Sequence, residues 1–316
     1  MELYMSNIGL RLIIVCSLIT VGWCYRSSGH PYDQHVPFGS TQYGNQNNAN
    51  CPMLQPFPPN AGKVTDNLPY ECLPSYLRNR NAVLDDDDGT TEWAEGSKPD
   101  YSSVDALFVT ERSIIHPEGS MEDRISNLIK NWDKELRHKR NSKQWVTVVP
   151  DNYFMVNNGE RLSLAEIFQI GSYNMFLGRS EFYSRDYINS STADNTFQTA
   201  LGSGFAIEVL EVYSPPPRVS FKFRHWGHMT GPLRCPMRNG TWLNVPPHGR
   251  KVEFFGDSVL HVNEKYQIMS VENSFRGDRL IEQMVLGTGT EVGSRTGTLN
   301  GNGGVEPNRG SGTWIW

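Results

Sequence analysis

The chain has 316 residues, a formal charge of −5 and an isoelectric point near 5.9. That length suits one large domain or two small ones, and the acidic balance argues against a general nucleic-acid binder, which carries a basic surplus. Past the N-terminal segment no run approaches the roughly 20 apolar residues that span a bilayer, so no membrane contact is expected of the mature chain.

At the N-terminus, Arg11 is followed by the apolar run "LIIVCSLITVG" and then "WCYRSSG". A basic residue before a short apolar core reads as a secretory signal peptide over residues 1–24, cut near Tyr25, with an uncleaved membrane anchor or a wrongly assigned start as the alternative; the expectation is an extracellular protein. Residues 25–91 are rich in Asn, Pro, Gly and Tyr without a sustained apolar period, and are expected to be low-complexity and mostly disordered. The acids Asp85–Asp88 lack the spacing of a calcium loop and read as solvated. Of five cysteines, the mature chain keeps Cys51, Cys72 and Cys235. An odd number implies one disulfide and one free or intermolecular thiol; Cys51–Cys72 is the local pairing, and Cys235 is an equally allowed partner. No two cysteines show zinc-site spacing, and His, Asp and Glu are scattered, so neither a metal nor a cofactor is expected.

The ordered part is expected over residues 92–286. "SVDALFVTERSI" reads as a short helix. A longer one begins at Ser120, with Asp123 as a weak capping-box partner and Ile125, Leu128, Ile129, Trp132 and Leu136 on one face. Its basic end, residues 137–140, suits the negative pole of the helix. A third helix opens with the capping box "SLAE" at Ser163 and Glu166 and is expected to run toward Leu177. Then the period changes to strands: "GFAIEVLEVYSPPPRVSFKFRHWGHM" and "RKVEFFGDSVLHVNEKYQIMSVENSF" each read as a strand pair. Helices followed by an antiparallel sheet is an α+β pattern. Hydrophobic matching puts Phe205, Ile207 and Val209 on one face with Phe221, Phe223 and His225, and sets Glu208 across from Arg224. His225 then points to an apolar face, and Arg224, Trp226 and His228 to the other. Residues 287–316 are Gly-rich and expected to be disordered, ending in Trp314, Ile315 and Trp316. Sequons at Asn189 and Asn239 fit export and glycosylation.

Several segments, "RSIIHPEGSMEDRISNLIKNWDKEL", "IGSYNMFLG", "GFAIEVLEVYSPPPRVSFKFRHWG" and "PPHGRKVEFFG", resemble in the same order the plant-type pathogen-related proteins. That group is similar to the SnoaL-like polyketide cyclases of the nuclear transport factor 2-like superfamily. The resemblance spans Glu92 to Met284. It implies a cone formed by a curved antiparallel sheet with helices over its concave face, a small apolar cavity, and a possible homodimer through the sheet. It also implies acid–base positions. His228 in "WGHMTG" stands near the cyclase histidine, Asp278 in "GDRLIEQMVLG" near the cyclase aspartate, and His225 is the histidine of "RHWG".

Each candidate has two readings. His225 is a general base or a buried neutral imidazole, His228 a catalytic or a strand-end histidine, and Asp278 an acid or a helix cap. Trp132, Tyr173, Asn174, Phe223, Trp226 and Phe255 are candidate ligand contacts or packing residues. Glu253, Asp257 and His261 form either a polar cavity wall or a solvated edge. The leading reading is a secreted protein that binds a small hydrophobic molecule inside the cone. The competitors are a cofactor-free cyclase or isomerase, and a defence or matrix protein in which the cone is scaffold.

Overall fold

The structure, a computed structural model, describes Cys51, Pro52, Phe57 and residues 68–289 other than Ser203. The expected signal peptide, most of the expected low-complexity stretch, and residues 290–316 with the terminal tryptophans lie outside the described residues.

Among the described residues eight α-helices and eight strands follow in chain order. Two short helices, α1 (Ser75–Arg78) and α2 (Ala82–Asp85), precede α3 (Ser102–Glu111) and the long α4 (Met121–His138). A hairpin of β1 (Phe154–Asn157) and β2 (Glu160–Ser163) leads to α5 (Leu164–Ile170), α6 (Ser172–Leu177) and α7 (Ser190–Leu201). Then come β3 (Phe205–Ser214), β4 (Arg218–His228), β5 (Leu233–Pro236), β6 (Trp242–Val245), β7 (Lys251–Val262), β8 (Ile268–Phe275) and α8 (Gly277–Leu286). The main sheet has the order β2-β1-β8-β7-β4-β3, and β5 and β6 form a separate hairpin. Register shifts in β3 after Val209 and Val212 bend the strand, the usual way to curve an antiparallel sheet.

The expected α+β fold is present, with one topological difference. β1 runs parallel to β8, so the sheet is mixed rather than purely antiparallel. The first hairpin has the expected register, Ile207 opposite His225, Glu208 opposite Arg224 and Val209 opposite Phe223.

The helices show where local chemistry decides. Ser120 caps α4 by accepting the Asp123 N–H at 3.2 Å, while Asp123 accepts from the Gly119 N–H at 2.9 Å. Ser163 and Glu166 form the reciprocal box that starts α5. That helix does not continue to Leu177 as expected, because Gly171 interrupts it at φ 82°. A Cβ there would sit 2.5 Å from Ser190 Cβ, so the chain bends where only glycine fits. α7, absent from the expectation, is capped by Asn189, whose Oδ1 accepts the Thr192 N–H at 2.9 Å. The same asparagine is the exposed acceptor of the first sequon.

Residues 70–91, assigned to the low-complexity stretch, fold onto α4. Tyr76, Leu77 and Ala82 join the main core. Polar side chains of α4 fix them there. Asn131 Nδ2 donates to Asn79 O at 2.8 Å and Tyr76 O at 3.2 Å, and Asn131 Oδ1 accepts the Val83 N–H at 3.0 Å. Lys134 Nζ donates to Arg80 O at 2.8 Å and also to Asn81 Oδ1. A disulfide joins Cys51 to Cys72, and Cys235 is a buried free thiol whose pKa burial pushes up to about 12. Among the described residues no helix is long and apolar enough to cross a membrane.

Candidate functional site: the aromatic chamber around His225

Strand alternation divides the sheet into two faces. On the concave face, β4 contributes Phe223 and His225, and the β4–β7 pairing sets Phe254 beside His225. The His225 ring is 3% exposed and stacks between Phe205, centroids 5.0 Å apart, and Phe254 at 5.3 Å. Phe176 and Phe223 meet it edge-on at 5.5 and 5.7 Å. Phe275 closes the set, packing on Phe176, Phe223 and Phe254. Gly256 makes room for these rings; a Cβ there would lie 2.5 Å from Phe223 and 2.7 Å from Phe275.

One polar atom among these rings lacks a well-aligned hydrogen bond: His225 Nδ1 is buried, and the backbone of Ala206 is the polar group next to the ring. Burial pushes the imidazole pKa down to about 3, although Asp133 opposes the shift. The ring is therefore neutral at physiological pH.

Asp133 comes from α4, on a charged row that faces inward. Its Oδ2 accepts from Lys130 Nζ at 3.0 Å and its Oδ1 from Arg137 Nε at 2.7 Å. Burial alone would raise its pKa, but Arg137 and Lys130, with a contribution from His225, hold it well below the usual carboxylate range. Lys130 is 1% exposed and lies 4.6 Å from the centre of the Tyr101 ring. Tyr101 Oη and Glu95 Oε1 flank the two ring nitrogens of His138, each at 3.0 Å. The Arg137 guanidinium lies 5.1 Å from the Tyr173 ring, which stacks on Phe197 at 4.9 Å. Ionic groups thus lie along α4, and aromatic rings on the sheet side.

The candidate residues separate in this frame. His225 and Phe223 line the chamber. Tyr173 borders the charged row. Asn174 is tied up in the fold, its Nδ2 donating to Ile188 O at 3.1 Å and its Oδ1 accepting from Tyr183. Trp132 is a core residue of α4. His228 and Trp226 lie on the opposite face. Trp226 is buried under α3 against Phe108 and Arg224, so it packs and does not face the chamber. His228 Nε2 is 2.7 Å from Glu111 Oε1 at the end of α3. Phe255, next to the chamber residue Phe254, points outward and is 48% exposed. Asp278 is not the cap of α8, which begins after Arg276; it lies in the first turn and pairs with Arg276. Glu253 bonds Arg224 on the outer face at 2.7 Å, so the row it shares with Asp257 and His261 lies on the face opposite His225.

His225, His228 and Asp278 therefore do not form one constellation; the carboxylate electrostatically coupled to His225 is Asp133. Sequence reasoning missed Asp133, Phe176, Phe205, Phe254 and Phe275 as a group. The available signal was Lys130, Asp133 and Arg137 at a spacing that shares one helix face. One test follows from the separation. His228→Ala, read by urea unfolding, is expected to cost no more than about 1 kcal/mol, the range of a partly exposed polar pair.

No family model matches the chain. Among solved structures it is similar to a putative SnoaL-like polyketide cyclase from Jannaschia sp. CCS1, at 12% identity and TM-score 0.28, covering 54% of this chain and 97% of that one. It is also similar to IdmH, a putative polyketide cyclase from Streptomyces antibioticus, at 10% identity and TM-score 0.31, covering 51% and 97%. The pathogen-related protein of Hordeum vulgare is 38% identical over 201 residues, which cover 61% of this chain and 82% of that protein. With that much of the barley protein matched at that identity, the chain belongs to the family of pathogen-related proteins.

Proposed function

We propose that this protein is a secreted binder of a small, flat, hydrophobic molecule, held against His225 in the aromatic chamber. The observation that carries the reading is the buried His225 Nδ1, without a well-aligned hydrogen bond, among four phenylalanine rings that touch the imidazole. Leaving a buried polar atom unsatisfied costs about 1–3 kcal/mol, a cost that a ligand hydroxyl or carbonyl would remove on binding. Ligand sites are commonly apolar with one or two placed polar groups, and the residues around His225 have that composition. Export is supported by the leader-like N-terminus, the Cys51–Cys72 disulfide and the exposed sequon residues Asn189 and Asn239.

Acid–base catalysis is the second reading, and the coupling of His225 to Asp133 is the observation that favours it. It is the weaker one: a general base works best with a pKa near the working pH, and that of His225 lies far below. The test is native purification followed by solvent extraction and mass spectrometry. Native protein is expected to carry a stoichiometric small molecule that His225→Ala loses. An empty native protein that also fails to retain compounds from lipid and aromatic libraries would sink the binding reading.

A further inference from the structure

Of the five rings around His225, Phe223, Phe254 and Phe275 are buried, whereas Phe176 and Phe205 are half-buried. Phe176 has a second distinction. With Phe275 and Gly256 it lines a surface hollow of about 860 Å³ at the end of the sheet. Polar and charged side chains ring that hollow, among them Asn157, Glu160, Lys222, Asp257 and Asp278. Phe176 is thus shared between the hollow and the rings that touch His225.

The helix that carries Phe176 is fixed. Asn174 bonds Ile188 O and Tyr183, and Tyr173 stacks on Phe197. Motion is therefore left to the ring, and rotamer changes of half-exposed side chains are fast compared with helix displacement.

We propose that this hollow is the port to the His225 chamber and that the Phe176 side chain is its gate. Asn174 and Asp278 then take positions around the passage, as its anchor and its rim. The proposal builds on the binding reading, but it concerns the route, and the test reads the route directly.

Diethyl pyrocarbonate transfers an ethoxycarbonyl group to a neutral imidazole nitrogen, with ethyl hydrogen carbonate as the leaving product. At pH 5 histidines of ordinary pKa are mostly protonated and react slowly, whereas His225 is neutral. Peptide mass mapping follows its modification with time. Phe176→Ala is expected to speed labelling of His225 about tenfold, because the cost of local opening falls, and Phe176→Leu to speed it less. Phe176→Trp is expected to slow it, and Phe205→Ala to change it little. An unchanged rate in both Phe176→Ala and Phe176→Leu overturns the proposal, as does acceleration by Phe205→Ala alone. A protein that labels through Phe176 but retains no molecule keeps the port and loses the ligand.

Discussion

Replacing Asp133 with Ala is expected to lower folding stability by about 3–5 kcal/mol, the range for removing one member of a buried ion pair. The magnitude follows from what remains. Lys130, 1% exposed, would lose its carboxylate, and Arg137 would lose the bond from Nε. Arg137 keeps a partly open path to solvent, with 15% of its side chain exposed, so Lys130 bears most of the effect. The pair of changes Asp133→Ala and Lys130→Met removes the stranded charge and is expected to recover a large part of the loss. Urea unfolding of the three proteins decides the matter. A single-variant loss below about 1 kcal/mol would mean that the cations are already satisfied by other groups, and that the row is not held together by Asp133.

Acidification provides the second large effect. A histidine with a folded pKa below its unfolded value binds fewer protons in the native state, so stability rises with pH between the two values. For His225 the window runs from about 3 to the ordinary 6.5. Its contribution is complete above 6.5 and is lost as pH falls, with a limiting slope of about 1.4 kcal/mol per pH unit. Between pH 7.5 and 5 this amounts to about 2 kcal/mol, above the range where unfolded carboxylates titrate. His138, also lowered by burial, adds to the same limb. Asp133, Arg137 and Lys130 are the charged groups that act on His225. His225→Phe is therefore expected to flatten the acid limb without abolishing it. Unfolding free energies measured every half unit would show it; parallel curves for the two proteins would mean that His225 titrates normally.

Legibility in the sequence depended on the range of each interaction. The β3–β4 register was readable because a period of two, a short connection and the Glu208–Arg224 pair all agree locally. The Ser163 box was readable for the same reason. Alternation alone did not tell Phe254 from Phe255, since adjacent phenylalanines satisfy either phase; the pairing of His225 with Phe254 settles it. Residues 70–91 looked too polar to order because their docking relies on Asn131 and Lys134 reaching backbone carbonyls. Such bonds leave no hydrophobic period. Asp133 was hidden for a related reason: on a helix rich in Lys, Arg and Glu, a buried carboxylate looks like a solvated one.

The parallel pairing of β1 with β8 also bears on how the chain folds. Asn273 Nδ2 donates to Asn157 Oδ1 across 116 residues of sequence, and the strands around them join over the same span. Loop closure of that length comes before any contact rewards it, which makes high-contact-order pairings slow. During synthesis, α3, α4 and the β1–β2 hairpin leave the ribosome well before the strand that completes their sheet. Until β8 emerges, β1 presents an unpaired edge and the apolar face of α4 has only part of its cover. That interval is when a nascent chain is most open to aggregation, and when a chaperone would have most to protect.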